Sequence, residues 1–368
     1  MSNLASVMSI VPRLPPAIDG VGDYALNLAL QLRKDFNIQT YFVVGNSKWN
    51  GAAEIEGFPV RQVSDRSPDA LLSLLSSDRS SSILLHYVGY GYAQRGCPVW
   101  LVDGLQRWKN LFPKRSLVTM FHEIAASGPI WTSSFWLSSL QKSLAARLAQ
   151  MSERCITSKQ SYGELLYQLN RTQQTEITCL PVFSNIGEAE YLPNLAERSQ
   201  RLVVFGSRNA RLQVYNQCLK ALKETCQSLN IQEILDIGVP TGLELSEIYS
   251  IPIIEKGVDK AEEISKNLAD SIAGFLNFPP PAYLAKSTIF AAYCAHRLIP
   301  CMVISSKLPI DGLEKGKHYW SNDDHSNELR LIQGQNIADN AYTWYQTHSL
   351  PVQAKIFMEN LILEQKDK

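Results

Sequence analysis

Short apolar runs alternate with amphipathic helical stretches along this chain, and that alternation constrains the fold more than any other feature. Ala5–Val11, Ile38–Val44, Ile83–Val88, Leu117–His122, Arg154–Thr157 and Ile177–Leu180 read as strands, separated by helical or loop stretches such as Ser134–Gln150. The clearest helix is Asp23–Lys34. Ala25, Leu26, Leu28, Ala29 and Leu32 form its broad apolar face, with Asp23 at the positive end and Arg33 and Lys34 at the negative end. Apolar strands joined through helices predict a parallel sheet covered on both faces.

The pattern breaks between Pro181 and Gln200 in a polar stretch with prolines, and then restarts. Arg201–Phe205, Ile234–Gly238, Ile272–Phe278 and Pro300–Ser305 read as strands, and Asn209–Gln227, Asp259–Asp270 and Tyr283–His296 as helices. A last helical stretch, Val352–Gln365, follows Pro351. The second half therefore repeats the topology of the first without repeating its sequence. A chain of 368 residues is long for one core, so two α/β domains are expected, with a ligand cleft between them.

Lys plus Arg and Asp plus Glu both number 35, which removes the long-range pull toward nucleic acid that a basic protein has. An anionic ligand then has to be held locally. The seven cysteines are scattered with no C-x-x-C pair, so neither a disulfide framework nor a zinc site is predicted, and a reducing compartment fits. Met1–Pro16 lacks a basic start followed by a long apolar core, and no later stretch approaches a membrane span. A cytoplasmic protein is expected. No P-loop lysine, H-E-x-x-H or G-x-S-x-G motif occurs.

Three segments are candidates for chemistry. In Asp19-Gly20-Val21-Gly22-Asp23, glycines between strand and helix let a ligand approach the backbone, and a helix start offers amides to an anion. The same pattern also describes a plain tight turn, and it lacks the full dinucleotide signature. Arg208 and Arg211 follow Gly206 at the start of a helix, where guanidinium groups suit a leaving diphosphate, or simply solvent. Lys286-Ser287-Thr288 opens another helix, with hydroxyls and amides available to a phosphate, and Tyr283 precedes it as a stacking or packing residue. Trp131, Phe135, Trp136 and Leu140 form an aromatic stripe at helical spacing. Core packing is its expected fate, with a membrane or an acceptor lipid as the alternatives.

Most of the chain resembles the retaining glycosyltransferases of the GT-B fold, the family 4 type. The likeness is carried by "PPAIDGVGDYALNLALQLRKDFNIQTYFVV", "LVTMFHEI", "CLPVFSNI", "LVVFGSRNAR" and "YLAKSTIFAAYCAHRLIPCMVIS". The resemblance implies an α/β GT-B architecture, two Rossmann-like domains with parallel sheets facing across a cleft. Residues 1–190 would form the acceptor domain, 191–345 the nucleotide-sugar domain, and 346–368 a helix returning to the first. It places Gly20, Gly22, Gly206, Tyr283, Lys286, Ser287 and Thr288 at the donor, with His122, Arg208 and Arg211 as the catalytic set. It implies transfer from a nucleotide diphosphate sugar to a glycan, lipid-linked or small-molecule acceptor, in glycan or polysaccharide biosynthesis. No metal, no other cofactor and no nucleic acid are expected; a peripheral contact with the inner membrane is left open.

This sequence departs from the family in one region. The family's two glutamates, separated by seven residues, are absent, since no glutamate lies between Glu263 and Glu314, and Arg297 stands where a small residue is usual. A non-catalytic protein that binds a sugar nucleotide or a partner glycosyltransferase is therefore the alternative. An epimerase of the same fold would need carboxylates that cannot be placed.

Overall fold

The structure, a computed structural model, describes residues 6–77, 82–126, 131–170, 176–244, 246–248, 250–277, 281–321 and 329–362. The chain forms two compact units, Met1–Pro181 with Leu350–Lys368, and Val182–Ser349. The first crossing therefore lies at Pro181, ahead of the expected boundary at residue 190. Its cause is local, because Val182 N already donates to Ala285 O and Ser184 N to the Tyr345 hydroxyl, both within the second unit.

The first unit holds strands β1 (Ser6–Val11), β2 (Gln39–Val44), β3 (Glu54–Ile55), β4 (Phe58–Gln62), β5 (Ser82–Tyr87), β6 (Ser116–Phe121), β7 (Arg154–Thr157) and β8 (Glu176–Cys179). They lie in the order β3-β4-β2-β1-β5-β6-β7-β8, parallel except for the short β3 against β4. β5 and β6 are buried at every position, as their continuous apolar runs predict for strands covered on both faces. Met8, Ile10 and Leu85 pack on one side with Leu101, Leu105 and Trp108, while Val11, Phe42 and Val44 pack on the other with Ala25 and Ala29.

Helix Leu350–Ile362 closes this unit. The Tyr24 hydroxyl donates to Gln353 Oε1 at 2.5 Å, Gln353 Nε2 donates to Pro181 O at 2.6 Å, and Ser82 Oγ donates to Leu361 O. The helix begins at Leu350, two residues before the expected start at Val352, and its last expected residues, 363–365, lie outside the described residues.

The second unit holds β9 (Ser199–Phe205), β10 (Glu233–Ile237), β11 (Glu247–Ile248), β12 (Ile251–Gly257), β13 (Ser271–Leu276), β14 (Ile299–Met302) and β15 (Trp320–Ser321). Their order is β11-β12-β10-β9-β13-β14-β15, again parallel except for the first pair. The single helix predicted over 209–227 is two, Arg208–Gln217 and Leu219–Ser228, meeting at Cys218 with φ −120° and ψ 14°. The turn keeps Val214, Tyr215, Cys218 and Leu222 on one core. Tyr283–His296 is likewise divided, into a 3-10 segment Pro281–Lys286 and a helix Thr288–Ala295, because Ser287 caps the latter. Among the described residues no helix is long and apolar enough to cross a membrane.

Candidate functional sites at the carboxyl ends of the strands

In an open parallel sheet, neighbouring crossovers part where the strand order reverses, and the carboxyl ends of the strands flanking that point leave room for a ligand. The reversal falls between β1 and β5 in the first unit and between β9 and β13 in the second. Most of the residues singled out from the sequence lie at these two places.

In the first unit, Gly20 opens helix Gly20–Phe36 directly after the turn that follows β1. Asp19 is the N-cap, and its Oδ1 accepts from Val21 N at 3.0 Å and Gly22 N at 3.1 Å. A carboxylate therefore already occupies the amides that the glycine loop was expected to offer an anion. Gly22 has a packing reason, since a Cβ there would stand 2.3 Å from Arg13 O. Gly20 has open space around its Cβ position, which leaves access to the backbone. Asp23, in the same first turn, is half-buried, and burial followed by the charge of Asp19 pushes its carboxyl up to about 6. The sequence showed Asp23 only as a favourable charge at a helix start.

His122 follows β6, with its N–H donating to Tyr87 O and so extending the ladder by one residue. It is half-buried and pairs with His86 of β5, with Nδ1 of His86 3.1 Å from Nε2 of His122. Tyr24 sets its ring edge-on to both imidazoles, with centroids 5.8 Å from His86 and 5.1 Å from His122. His86 was missed in the sequence because it stands inside an apolar run, where an isolated histidine reads as strand. Only pairing of β5 with β6 brings it to His122.

In the second unit Gly206 follows β9 with φ 135°, and a Cβ there would meet Ile289 Cδ1 of helix Thr288–Ala295 at 2.5 Å. The loop after β9 and the helix after β13 are therefore in direct contact. The buried Tyr293 stands where these two strands part. Its hydroxyl accepts from Phe205 N at 3.2 Å and lies 3.2 Å and 3.3 Å from the carbonyls of Val203 and Phe275, satisfying backbone groups at the divergence.

The two arginines have different fates. Arg208 is exposed and donates to Pro240 O at 3.2 Å and Thr241 O at 2.6 Å, holding the loop after β10 while keeping its charge at the surface. Arg211, expected to face a leaving group, is 1% exposed. Its guanidinium is consumed by the Asp236 carboxylate, Val239 O and Gly206 O. Asp236 also accepts from the Tyr215 hydroxyl at 2.6 Å, and burial raises its carboxyl against the pull of both partners. Arg211 therefore supports the Gly206 loop from inside, and its charge is neutralised before any ligand arrives.

Ser287 is also turned inward. It is 4% exposed and its hydroxyl accepts from Phe290 N, so it caps the helix instead of presenting a free hydroxyl. Lys286 lies over the Tyr283 ring at 4.6 Å, and both are half-buried, as is Thr288. The unusual Arg297 sits at the helix end with φ 54°, its Nε donating to Asp339 at 2.5 Å. This bulky residue is accommodated as a structural ion pair. Among the described residues, no group of three or more His, Cys, Asp or Glu side chains is placed to hold a metal ion.

No family model matches the chain, and no curated protein matches it in sequence. Solved structures do. TarM aligns with a TM-score of 0.65 at 8% identity, covering 98% of this chain and 99% of its own. WaaG, a glycosyltransferase involved in lipopolysaccharide biosynthesis, gives 0.61 at 11% identity, over 97% and 99%. An α-glucosyltransferase solved with UDP-glucose and DNA containing an abasic site gives 0.57 at 9%, over 98% and 99%. The chain has the GT-B fold, the expectation drawn from its sequence.

Proposed function

We propose that the protein is a glycosyltransferase that moves a sugar from a nucleotide diphosphate sugar to an acceptor hydroxyl. The observation that carries this reading is the contact of the Gly206 loop with the start of helix Thr288–Ala295 at the strand reversal of the second unit. The amides of Thr288 and Ile289 are the first two of that helix and have no intrahelical acceptor, so they suit phosphate oxygens. Lys286 and Arg208 add positive charge at the same strand ends. The fold neighbours support the reading, since one was solved with UDP-glucose and another is a lipopolysaccharide glycosyltransferase.

The chemistry that fits is of the retaining, family 4 type. As the bond from the anomeric carbon to the phosphate oxygen breaks, the diphosphate gains charge, which amides and cations stabilise. The acceptor hydroxyl then bonds to the anomeric carbon and passes its proton to the departing phosphate. No carboxylate base is needed, which suits a helix Thr288–Ala295 without any acid. A metal is not required when these groups neutralise the diphosphate. The acceptor is a glycan, a lipid-linked sugar or a small molecule. DNA, present with one fold neighbour, is a poor candidate for a chain of zero net charge.

Arg208→Ala is expected to weaken binding of UDP or GDP more than about tenfold in calorimetry, since a charge-assisted contact contributes about 1.5–3 kcal/mol. Arg208→Lys, which keeps the charge, should lose less. Unchanged affinity in a folded Arg208→Ala protein removes Arg208 from the site. A second reading, a binding protein without turnover, is favoured by the lack of any glutamate between Glu263 and Glu314. Hydrolysis assays with UDP, GDP and ADP sugars separate the two, because binding without turnover in any acceptor mixture selects the second.

The aromatic stripe extends the proposal to a peripheral membrane site. Contrary to the expectation of core packing, Trp131 is 82% and Trp136 72% exposed, with Phe135 and Leu140 exposed beside them. The opposite face of helix Ser133–Met151, with Leu144, Ala145 and Leu148, fills the core. No acid occurs between Glu123 and Glu153. Lys142 is exposed one residue past Gln141, and exposed Arg95 is held beside that glutamine through its carbonyl. Indoles with cations and no acids suit the interface of an anionic bilayer. The protein is expected to sediment with phosphatidylglycerol vesicles more than with phosphatidylcholine, and Trp131→Ser with Trp136→Ser to weaken this at least about tenfold. Equal loss from both vesicle types, or a concentration-dependent dimer in light scattering, would overturn it.

A further inference from the structure

His86 is fully buried, and among the described residues its Nε2 has no hydrogen-bond partner, while its Nδ1 lies 3.1 Å from Nε2 of His122. Two neutral imidazoles sharing this contact have one proton between the facing nitrogens. If His122 supplied it, neutral His86 would carry its own proton on Nε2, as a buried N–H without an acceptor. Stranded donors of that kind are rare because the lost hydration is not replaced. If His86 supplies it, the unpartnered Nε2 is only a bare lone pair.

A cationic His86 is the remaining alternative. Burial and then the proximity of His122 hold the His86 imidazole well below its ordinary value, and among the described residues no carboxylate is bonded to it. The Tyr24 ring, which meets both imidazoles edge-on, adds no anion, because burial raises that phenol and keeps it neutral.

We infer that His86 is a positioning residue that donates from Nδ1 to His122 and so fixes His122 as its Nδ1-protonated tautomer. Neutral His122 then accepts at Nε2 and has its proton on Nδ1. Any acceptor met by that second nitrogen, in the protein or in a ligand, meets an N–H and not a lone pair. Resting on the glycosyltransferase reading, this makes His122 a hydrogen-bond donor to a sugar oxygen and excludes it as the base that takes the acceptor proton, consistent with proton transfer to the leaving phosphate.

The chain has six histidines, few enough for long-range proton–nitrogen NMR on the full protein labelled at histidine nitrogen. His122→Gln and His86→Asn spectra supply the assignments. At neutral pH both His86 and His122 should show a protonated Nδ1 and a bare Nε2. His86→Asn, whose side-chain amide mimics Nδ1–H, should keep His122 in that form, whereas His86→Phe should shift it to Nε2–H. A wild-type spectrum with His122 protonated at Nε2 overturns the inference, whether or not His86→Phe folds. The tautomer is read without substrate, so a confirmed tautomer with no sugar-nucleotide binding would reject the glycosyltransferase reading and leave the inference standing.

Discussion

Replacing Arg211 by methionine is expected to lower the unfolding free energy by about 3–5 kcal/mol, because it leaves the Asp236 carboxylate buried without its cation. The carbonyls of Gly206 and Val239 lose their donors in the same step. Urea denaturation followed by far-ultraviolet circular dichroism is the check. Since the chain has two units, the transition of the second should move ahead of the first. Combining Arg211→Met with Asp236→Leu and Tyr215→Phe should recover part of the loss, as apolar replacement of a whole buried network often does. A fully stable Arg211→Met protein that has lost nucleotide binding would instead return Arg211 to the role expected from its position after Gly206.

Gln353→Leu is expected to destabilise the first unit by roughly 2–6 kcal/mol, as two buried groups lose their partners at about 1–3 kcal/mol each. The Tyr24 hydroxyl loses its acceptor and the Pro181 carbonyl its donor. Thermal unfolding of Gln353→Leu, Tyr24→Phe and the double variant forms the test. The double variant should lose less than the sum of the two single variants, because both remove the same hydrogen bond. Additive losses would mean that Tyr24 and Gln353 do not act as a pair. The outcome also bears on the histidines, since the Tyr24 ring lies against both imidazoles.

Much of the architecture was legible because it depends on neighbours in sequence. The apolar runs at 83–88 and 117–122 marked strands that are indeed buried throughout, and periodicity marked the helix after β1. The capping roles of Asp19, Ser207 and Ser287 were not read from the sequence, which offered Asp19 and Ser287 to a ligand instead; each proves to cap the helix that follows it. Other elements were not read from the sequence, among them helices Val99–Leu111 and Leu331–Gln346 and strand β12. β4, with exposed Pro59 and Arg61 between buried Phe58 and Val60, has too few residues for its alternation to stand out.

What the sequence by itself determined was the alternation of apolar strands with helices and its resumption after the break near Pro181. These follow from hydrophobic periodicity, which acts over a few residues. Only the tertiary structure decided which member of a similar pair serves inside and which outside. Arg208 and Arg211 are three residues apart on one helix, yet Asp236 of β10 draws only the second into the core. His86 gains a partner solely because β5 lies beside β6, and Trp131 and Trp136 stay in solvent because no other described element covers them. Such fates depend on groups distant in the chain, whose proximity is set by packing and is invisible to local pattern.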